Sequence, residues 1–187
     1  SVQYKLNLIV LSKEIKEIYI KYGFNNSKIK VLQNGAREDK FKFTEYPKNI
    51  SKSIYVGKIE NRKNQYKYQK IQNIDFAGNY YNSKFDIKNR NYLGEWTKDV
   101  LYNNLTEYSN LILLSDGEAD PLVVKEALIC GLGVVVSKCA SANLDLNKNF
   151  IDVIEDDKLN DISYVREVIE KNREVSKIER RNIRESG

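Results

Sequence analysis

The stretches LILLS (Leu111 to Ser115) and GVVVS (Gly133 to Ser137) are apolar nearly throughout, and a helical pattern, PLVVKEALIC, lies between them. A strand with one face in water alternates apolar and polar residues. An unbroken Val/Ile/Leu run marks a strand covered on both faces, the condition of a parallel sheet. Six further segments read as strands: Leu6 to Leu11, Lys28 to Leu32, Ser53 to Gly57, Ile74 to Gly78, a short Asn91 to Gly94, and Phe150 to Glu155. Helical spacing predicts a helix after Ser12, with Ile15, Ile18, Tyr19 and Tyr22 on one stripe and Gly23 as its stop. Further helices are expected over Asn61 to Ile71, Thr97 to Tyr108 and Ile162 to Ile183, the last amphipathic and mostly charged beyond Val175. Strands alternating with helices give the α/β class, a doubly wound parallel sheet.

With 187 residues, 41% of them hydrophobic, the chain can build one ordinary domain with a sizeable core. No apolar run approaches the ~20 residues of a membrane span. The opening SVQYKLNLIVLSK lacks the basic lead and small-residue cleavage site of a secretory signal. Cys130 and Cys139 form no CxxC pair, Cys130 reads as a small buried residue, and the expected setting is reducing and cytoplasmic. The chain starts without Met, which suggests an excised or processed piece. A formal charge of +5 favours anionic partners. There is no His, so imidazole acid–base chemistry and His-ligated metals are excluded within these residues.

In an open parallel sheet, ligands sit beyond the carboxyl ends of the strands. The loop after LILL is SDGEAD, which puts Glu118 there. Asp120 before Pro121 reads as an N-cap with Pro at the first helical position. The next amides, of Leu122 and Val123, would then point free N–H groups out of a helix start that attracts phosphate, although a capping Asp120 carboxylate would occupy one donor and repel an anion. Glu126 lies about a turn further in, and Gly131 reads as the left-handed stop. Glu118 and Glu126 can thus face one crevice, each able to accept two hydroxyl donors. The same spacing also suits a solvated loop acid at 118 and a surface Lys–Glu pair at 126. The segment VGKIENRKN weighs against that. Gly57 permits a sharp turn at the strand end, and Lys58 and Lys63, with Arg62 as a third candidate, place cations at the same sheet edge. Two such cations would neutralise a diphosphate without metal.

In order and spacing, NLIVLSKEIKEIYIKYGFNNSKIKVLQNGAREDKF, SIYVGKIENRKN and YLGEWTKDVLYNNLTEYSNLILLSDGEADPLVVKEALICGLGVVVS resemble the C-terminal half of family 4 glycosyltransferases, to about Asp157. The E-x7-E pattern running into EALICG, the Asn34-Gly35 turn and the VG…K strand end carry the resemblance. It implies the GT-B architecture, in which two Rossmann-like domains face a cleft, and a donor-binding domain of a retaining, metal-independent transferase. On that resemblance Glu118 contacts donor-sugar hydroxyls and Glu126 holds the ribose. Lys58 and Lys63, beside Gly57, hold the diphosphate and assist the leaving group, and the Leu122 and Val123 amides meet phosphate. Leu93 and Gly94 lie near the base. No cofactor or metal is implied. The partners implied are a nucleotide-diphosphate sugar and an N-terminal acceptor-binding domain, with residues 1–12 its end or a linker and 160–187 a C-terminal helix. The family's usual arginine is here Lys58, a point charge in place of a fork. Its aromatic-glycine pair is Asp120-Pro121, and its glycine-rich turn after VVVS reads KCASANLD.

Two rival readings come from the same residues. A relative that kept the fold but lost catalysis would bind nucleotide without turnover. A nucleic-acid module finds support only in the charge and the 13 tyrosines, with no basic helix face and no recognition helix.

Overall fold

The computed structural model describes residues 6–187. Residues 1–5, part of the expected boundary segment 1–12, lie outside them. A small parallel pair comes first: β1 (Leu8–Val10) and β2 (Ile29–Val31), in register Leu8↔Ile29, joined by α1 (Lys13–Lys21). Ser12 caps α1, its hydroxyl accepting from the Ile15 amide at 3.3 Å.

The main sheet has five parallel strands in the order β4-β3-β5-β6-β7. They are β3 (Asn49–Val56), β4 (Ile74–Ala77), β5 (Tyr108–Leu113), β6 (Gly133–Ser137) and β7 (Ile151–Ile154). One row crosses the whole sheet through Asp75, Ile54, Leu111, Val134 and Ile151. Every residue of β5 and β6 is buried, the polar Ser109 and Asn110 ahead of the apolar run of β5 included. Each fully buried Val, Leu or Ile contributes roughly 1.5–3 kcal/mol of transfer free energy. The chain goes from β3 outward to β4, then returns to the other side of β3 to form β5. The strand order therefore reverses between β3 and β5, which is where doubly wound sheets open a crevice at the strand tips.

α4 (Leu122–Ile129) links β5 to β6 and packs on both. α5 (Ile162–Ser186), capped by Asp161 on the Tyr164 amide at 3.1 Å, crosses β3, β5, β6 and β7. Gly133 makes that crossing close, since a Cβ there would stand 2.0 Å from the Ser176 hydroxyl. Asn172 on α5 is fully buried and donates to the Phe150 carbonyl at 3.0 Å and to Asp152 at 2.9 Å. Among the described residues no helix is long and apolar enough to cross a membrane.

Several elements differ from the sequence expectation. The helix expected over 61–71 shrinks to a 3-10 turn, Asn61–Lys63, and α2 (Gln65–Tyr68). Between them Asn64 takes a left-handed φ of 59°, which breaks the helical run. The expected strand at Asn91 to Gly94 is a single bridge, Phe76↔Tyr92, on the outer edge of β4. The helix expected to reach Tyr108 is α3 (Lys98–Asn104) plus a 3-10 turn, because Tyr108 already belongs to β5.

Candidate functional site

At the switch point the tip of β3 carries Gly57 and the loop to Lys63, and the tip of β5 carries Ser115 to Glu118. Five hydrogen bonds strap these loops together. The buried Tyr55 hydroxyl accepts from the Leu114 amide at 2.8 Å and donates to the Lys63 carbonyl. Asn64 donates to the Leu114 carbonyl at 3.1 Å and to Asp116 at 2.6 Å. The Asp116 amide donates to the Arg62 carbonyl at 2.8 Å.

This strapping seats Lys63 Nζ directly on Glu118 Oε1. The Ser115 hydroxyl donates to the same oxygen at 3.0 Å, and the Arg62 guanidinium stands 3.4 Å from it. The Glu118 and Lys63 side chains keep only 11% and 12% of their exposure, so neither is a solvated loop residue. Arg62 also donates to the Gly117 carbonyl and lies 3.0 Å from Glu60. Gly57 is beside them: a Cβ on it would lie 3.8 Å from Lys63 Cε.

Lys58 points to the opposite flank of Gly57. Its amine sits 4.0 Å above the Tyr81 ring and 3.8 Å from Glu60. It lines a hollow of about 350 Å³ between the tips of β3 and β4 with Gly57, Gly78, Asn79, Glu95 and Trp96. Gly78 forms its floor against Gly57, and no other residue fits, since a Cβ would come within 1.9 Å of the Gly57 oxygen. Leu93 and Gly94 precede Glu95 in the chain and are tied to β4 by backbone bonds, but they do not line the hollow. The Leu93 amide donates to the Phe76 carbonyl, and the Gly78 amide to the Gly94 carbonyl, each at 2.8 Å.

α4 starts at Leu122 after Pro121, which takes φ −71° and ψ 116°; no side chain caps it. The expectation that Asp120 caps this helix with Pro121 inside it is therefore corrected. Asp120 is buried and turned away, accepting from the Asn34 amide at 2.7 Å and Lys125 Nζ at 2.9 Å. Lys125 in turn donates to the Asn34 carbonyl at 2.6 Å, and the Asn34 side chain to the Asp120 carbonyl at 2.7 Å. The Asn34-Gly35 turn is thus latched to the loop between the two glutamates. The latch also removes the objection that Asp120 would consume helix donors, and Leu122 is 45% exposed at the helix start.

Glu126 is half-buried, and its carboxylate has no hydrogen-bond or ion-pair partner among the described residues. Burial raises its pKa, and the positive charge of Lys98 offsets part of the rise. The reading of Glu126 as half of a surface Lys–Glu pair therefore finds a nearby Lys98 but no ion pair. Lys98 begins α3, directly after Glu95 and Trp96 of the hollow, so one short loop leads from the hollow to Glu126.

Lys63, Glu118, Arg62 and Gly57 form one cluster. Lys58 lines the adjoining hollow, Leu93 and Gly94 directly precede its Glu95 without lining it, and Leu122, Val123 and Glu126 lie along α4. Asn79, Tyr81, Glu95, Trp96 and Ser115 were not singled out from sequence, although Asn79 and Tyr81 follow a strand-ending glycine just as Lys58 does. A second hollow of about 560 Å³, lined by Lys52, Lys70 and Arg90, lies at the opposite end of the strands, near Asn73. A third, about 420 Å³, lies between the Asn34-Gly35 turn and the end of α4. Neither contains a member of the Lys63–Glu118 cluster.

Neither a comparison with protein-family models nor one with curated protein sequences yields a match. Solved structures do match. The chain is similar to WaaG, a glycosyltransferase involved in lipopolysaccharide biosynthesis, with TM-score 0.71 and 15% identity over 97% of this chain and 59% of that one. Anabaena Alr3699/HepE in complex with UDP-glucose matches with TM-score 0.68 and 14% identity over 98% of this chain and 63% of that one. The lipopolysaccharide outer core galactosyltransferase WaaB, in its apo form, matches with TM-score 0.63 and 17% identity over 90% and 55%. The chain spans about three fifths of the length of these structures. Its fold is the Rossmann-like fold of the C-terminal half of a GT-B glycosyltransferase.

Proposed function

We propose that this chain is the donor-binding part of a retaining, metal-independent glycosyltransferase that uses a nucleotide-diphosphate sugar. The observation that carries the reading is the Lys63–Glu118 pair at the switch point, between an aromatic-walled hollow and the uncapped start of α4. A sugar nucleotide laid across the strand tips would put its base in the hollow and its ribose hydroxyls on Glu126. The diphosphate would lie on Lys63 and the Leu122 and Val123 amides. The bound UDP-glucose of the similar HepE supports the ligand class.

In this arrangement Lys63 would balance the charge that develops on the leaving diphosphate. Lys58 would reach it only by leaving the Tyr81 ring. Glu118, released from Lys63 by the incoming phosphates, would accept from donor-sugar hydroxyls. The acceptor would be held by a further domain facing the strand tips.

Isothermal titration with UDP, GDP and ADP in metal-free buffer tests the reading. Binding of at least one, lost in Glu126→Ala, is expected. No binding of any would overturn it. A relative that binds donor without transferring sugar differs in one readout: it would bind, yet show no turnover when joined to its acceptor domain.

A further inference from the structure

The hollow beside Lys58 has a chemistry that selects among bases. Two of its lining residues, Tyr81 and Trp96, are aromatic, which suits any planar base by stacking. Its polar lining is more selective. Glu95 is the one carboxylate in it, and among the described residues that carboxylate has neither an ion pair nor a hydrogen bond. Asn79 also lines it, its side-chain amide donating to the Tyr81 hydroxyl at 3.4 Å.

A carboxylate has only acceptors and is best met by two parallel N–H donors. Guanine offers that pair on one edge, N1–H beside the N2 amine. Uracil offers a single N–H between two carbonyls, whose lone pairs would face the carboxylate. Adenine offers its N6 amine beside the N1 lone pair. The guanine O6, an acceptor beside N1–H on the same edge, would look toward the Lys58 amine or the Asn79 amide, both in the same lining. The loop from Glu95 to Lys98 continues toward Glu126, so a base held here leaves its ribose near that carboxylate.

We propose that the base carried by the donor is guanine and that Glu95 is the residue that selects it. This rests on the donor-site reading above and goes beyond it by naming the base. Sites built to hydrogen-bond a particular group discriminate strongly against ligands that lack it, because their polar groups are left unpaired.

The test is titration of the chain with GDP, UDP and ADP, repeated with Glu95→Gln. Glu95 is exposed, so the substitution leaves folding intact, and far-ultraviolet circular dichroism checks this. GDP should bind about tenfold or more tighter than UDP or ADP, the scale of one good bidentate pair. Glu95→Gln should remove most of that advantage and leave UDP and ADP within about threefold of their original affinities. Equal or tighter binding of UDP or ADP to the unaltered chain would overturn the assignment. So would a Glu95→Gln effect common to all three. In both cases the donor-site reading survives if Glu126→Ala abolishes binding. Absence of binding by any nucleotide overturns both.

Discussion

Lys63 Nζ rests on Glu118 Oε1 although the two residues are 55 positions apart in the chain. Each side chain is nearly enclosed, so the pair is screened little by solvent and holds a defined geometry. A phosphate entering the site would compete with Glu118 for the same amine. Lys63→Ala should therefore lower affinity for a nucleoside diphosphate by about tenfold or more. Glu118→Gln should leave that affinity unchanged or raise it, because the amine is released. The two variants part further with an intact sugar nucleotide, where Glu118→Gln should lose the extra affinity contributed by the sugar. Titration of diphosphate and sugar nucleotide against both variants measures this.

Glu126 gives a pH-dependent prediction. Burial raises its pKa above the ordinary value of 4.5, so the folded chain binds more protons here than the unfolded chain between 4.5 and the raised value. The stabilising protonated form is fully present below pH 4.5 and is lost as pH rises through the folded pKa. At neutral pH the charged carboxylate costs stability, and Glu126→Gln should melt higher than the unaltered chain. With the partial exposure of the group discounted, the gain is under about 1 kcal/mol, or roughly 2 °C. The gain should vanish at pH 4. Nucleotide should reverse the order at pH 7, because binding to the native state raises its melting temperature and only the carboxylate can accept both ribose hydroxyls. Calorimetric melts at pH 4 and 7, with and without nucleotide, check each step.

Tyr55→Phe removes the hydroxyl that joins the β5 tip to the Lys63 loop. It leaves the Leu114 amide and the Lys63 carbonyl without that partner in the interior. An orphaned buried group costs about 1–3 kcal/mol, which is a fall of roughly 3–10 °C in melting temperature for this size. Because the loop carries Lys63, nucleotide affinity should fall as well. A purely structural role would lower the melting temperature and leave the affinity alone.

The latch between Asp120, Asn34 and Lys125 predicts a local effect. Asp120→Ala leaves Lys125 Nζ, on a side chain only 16% exposed, without its carboxylate. Breaking a buried pair in this way costs about 3–5 kcal/mol. Hydrogen exchange should accelerate first at the Asn34-Gly35 turn and at β2, and less at β5 and β6.

Much of this architecture was legible beforehand because its cause is local. The apolar runs at Leu111 to Ser115 and Gly133 to Ser137 are buried throughout, and Gly131 stands at φ 77° where a helix stop was expected. The juxtaposition of Lys63 with Glu118 followed from both lying at strand tips, although their direct contact did not. Asp120 was misread because Asp-Pro is a common helix start, whereas here the distant Asn34 amide takes the carboxylate. The end of α5 reads as mostly charged beyond Val175, yet Arg180 within it is 4% exposed. Its guanidinium donates to the carbonyls of Tyr108 at 2.8 Å and Thr44 at 2.6 Å, and burial lowers its pKa to about 10. No spacing rule announces a buried arginine whose partners are backbone carbonyls in other segments. Glu95 and Trp96 escaped for a related reason, since the YLG segment that precedes them is only a bridge at the sheet edge.

The central claim is that a nucleoside diphosphate lies across the β3 and β5 tips. The most direct measurement is a ¹⁵N-amide NMR titration of the chain with nucleoside diphosphate. The expected result is a set of shifted amides at Gly57, Lys63, Gly78, Leu122 and Val123. Shifts confined to the basic hollow at Lys52, Lys70 and Arg90, with the strand tips unmoved, would contradict it.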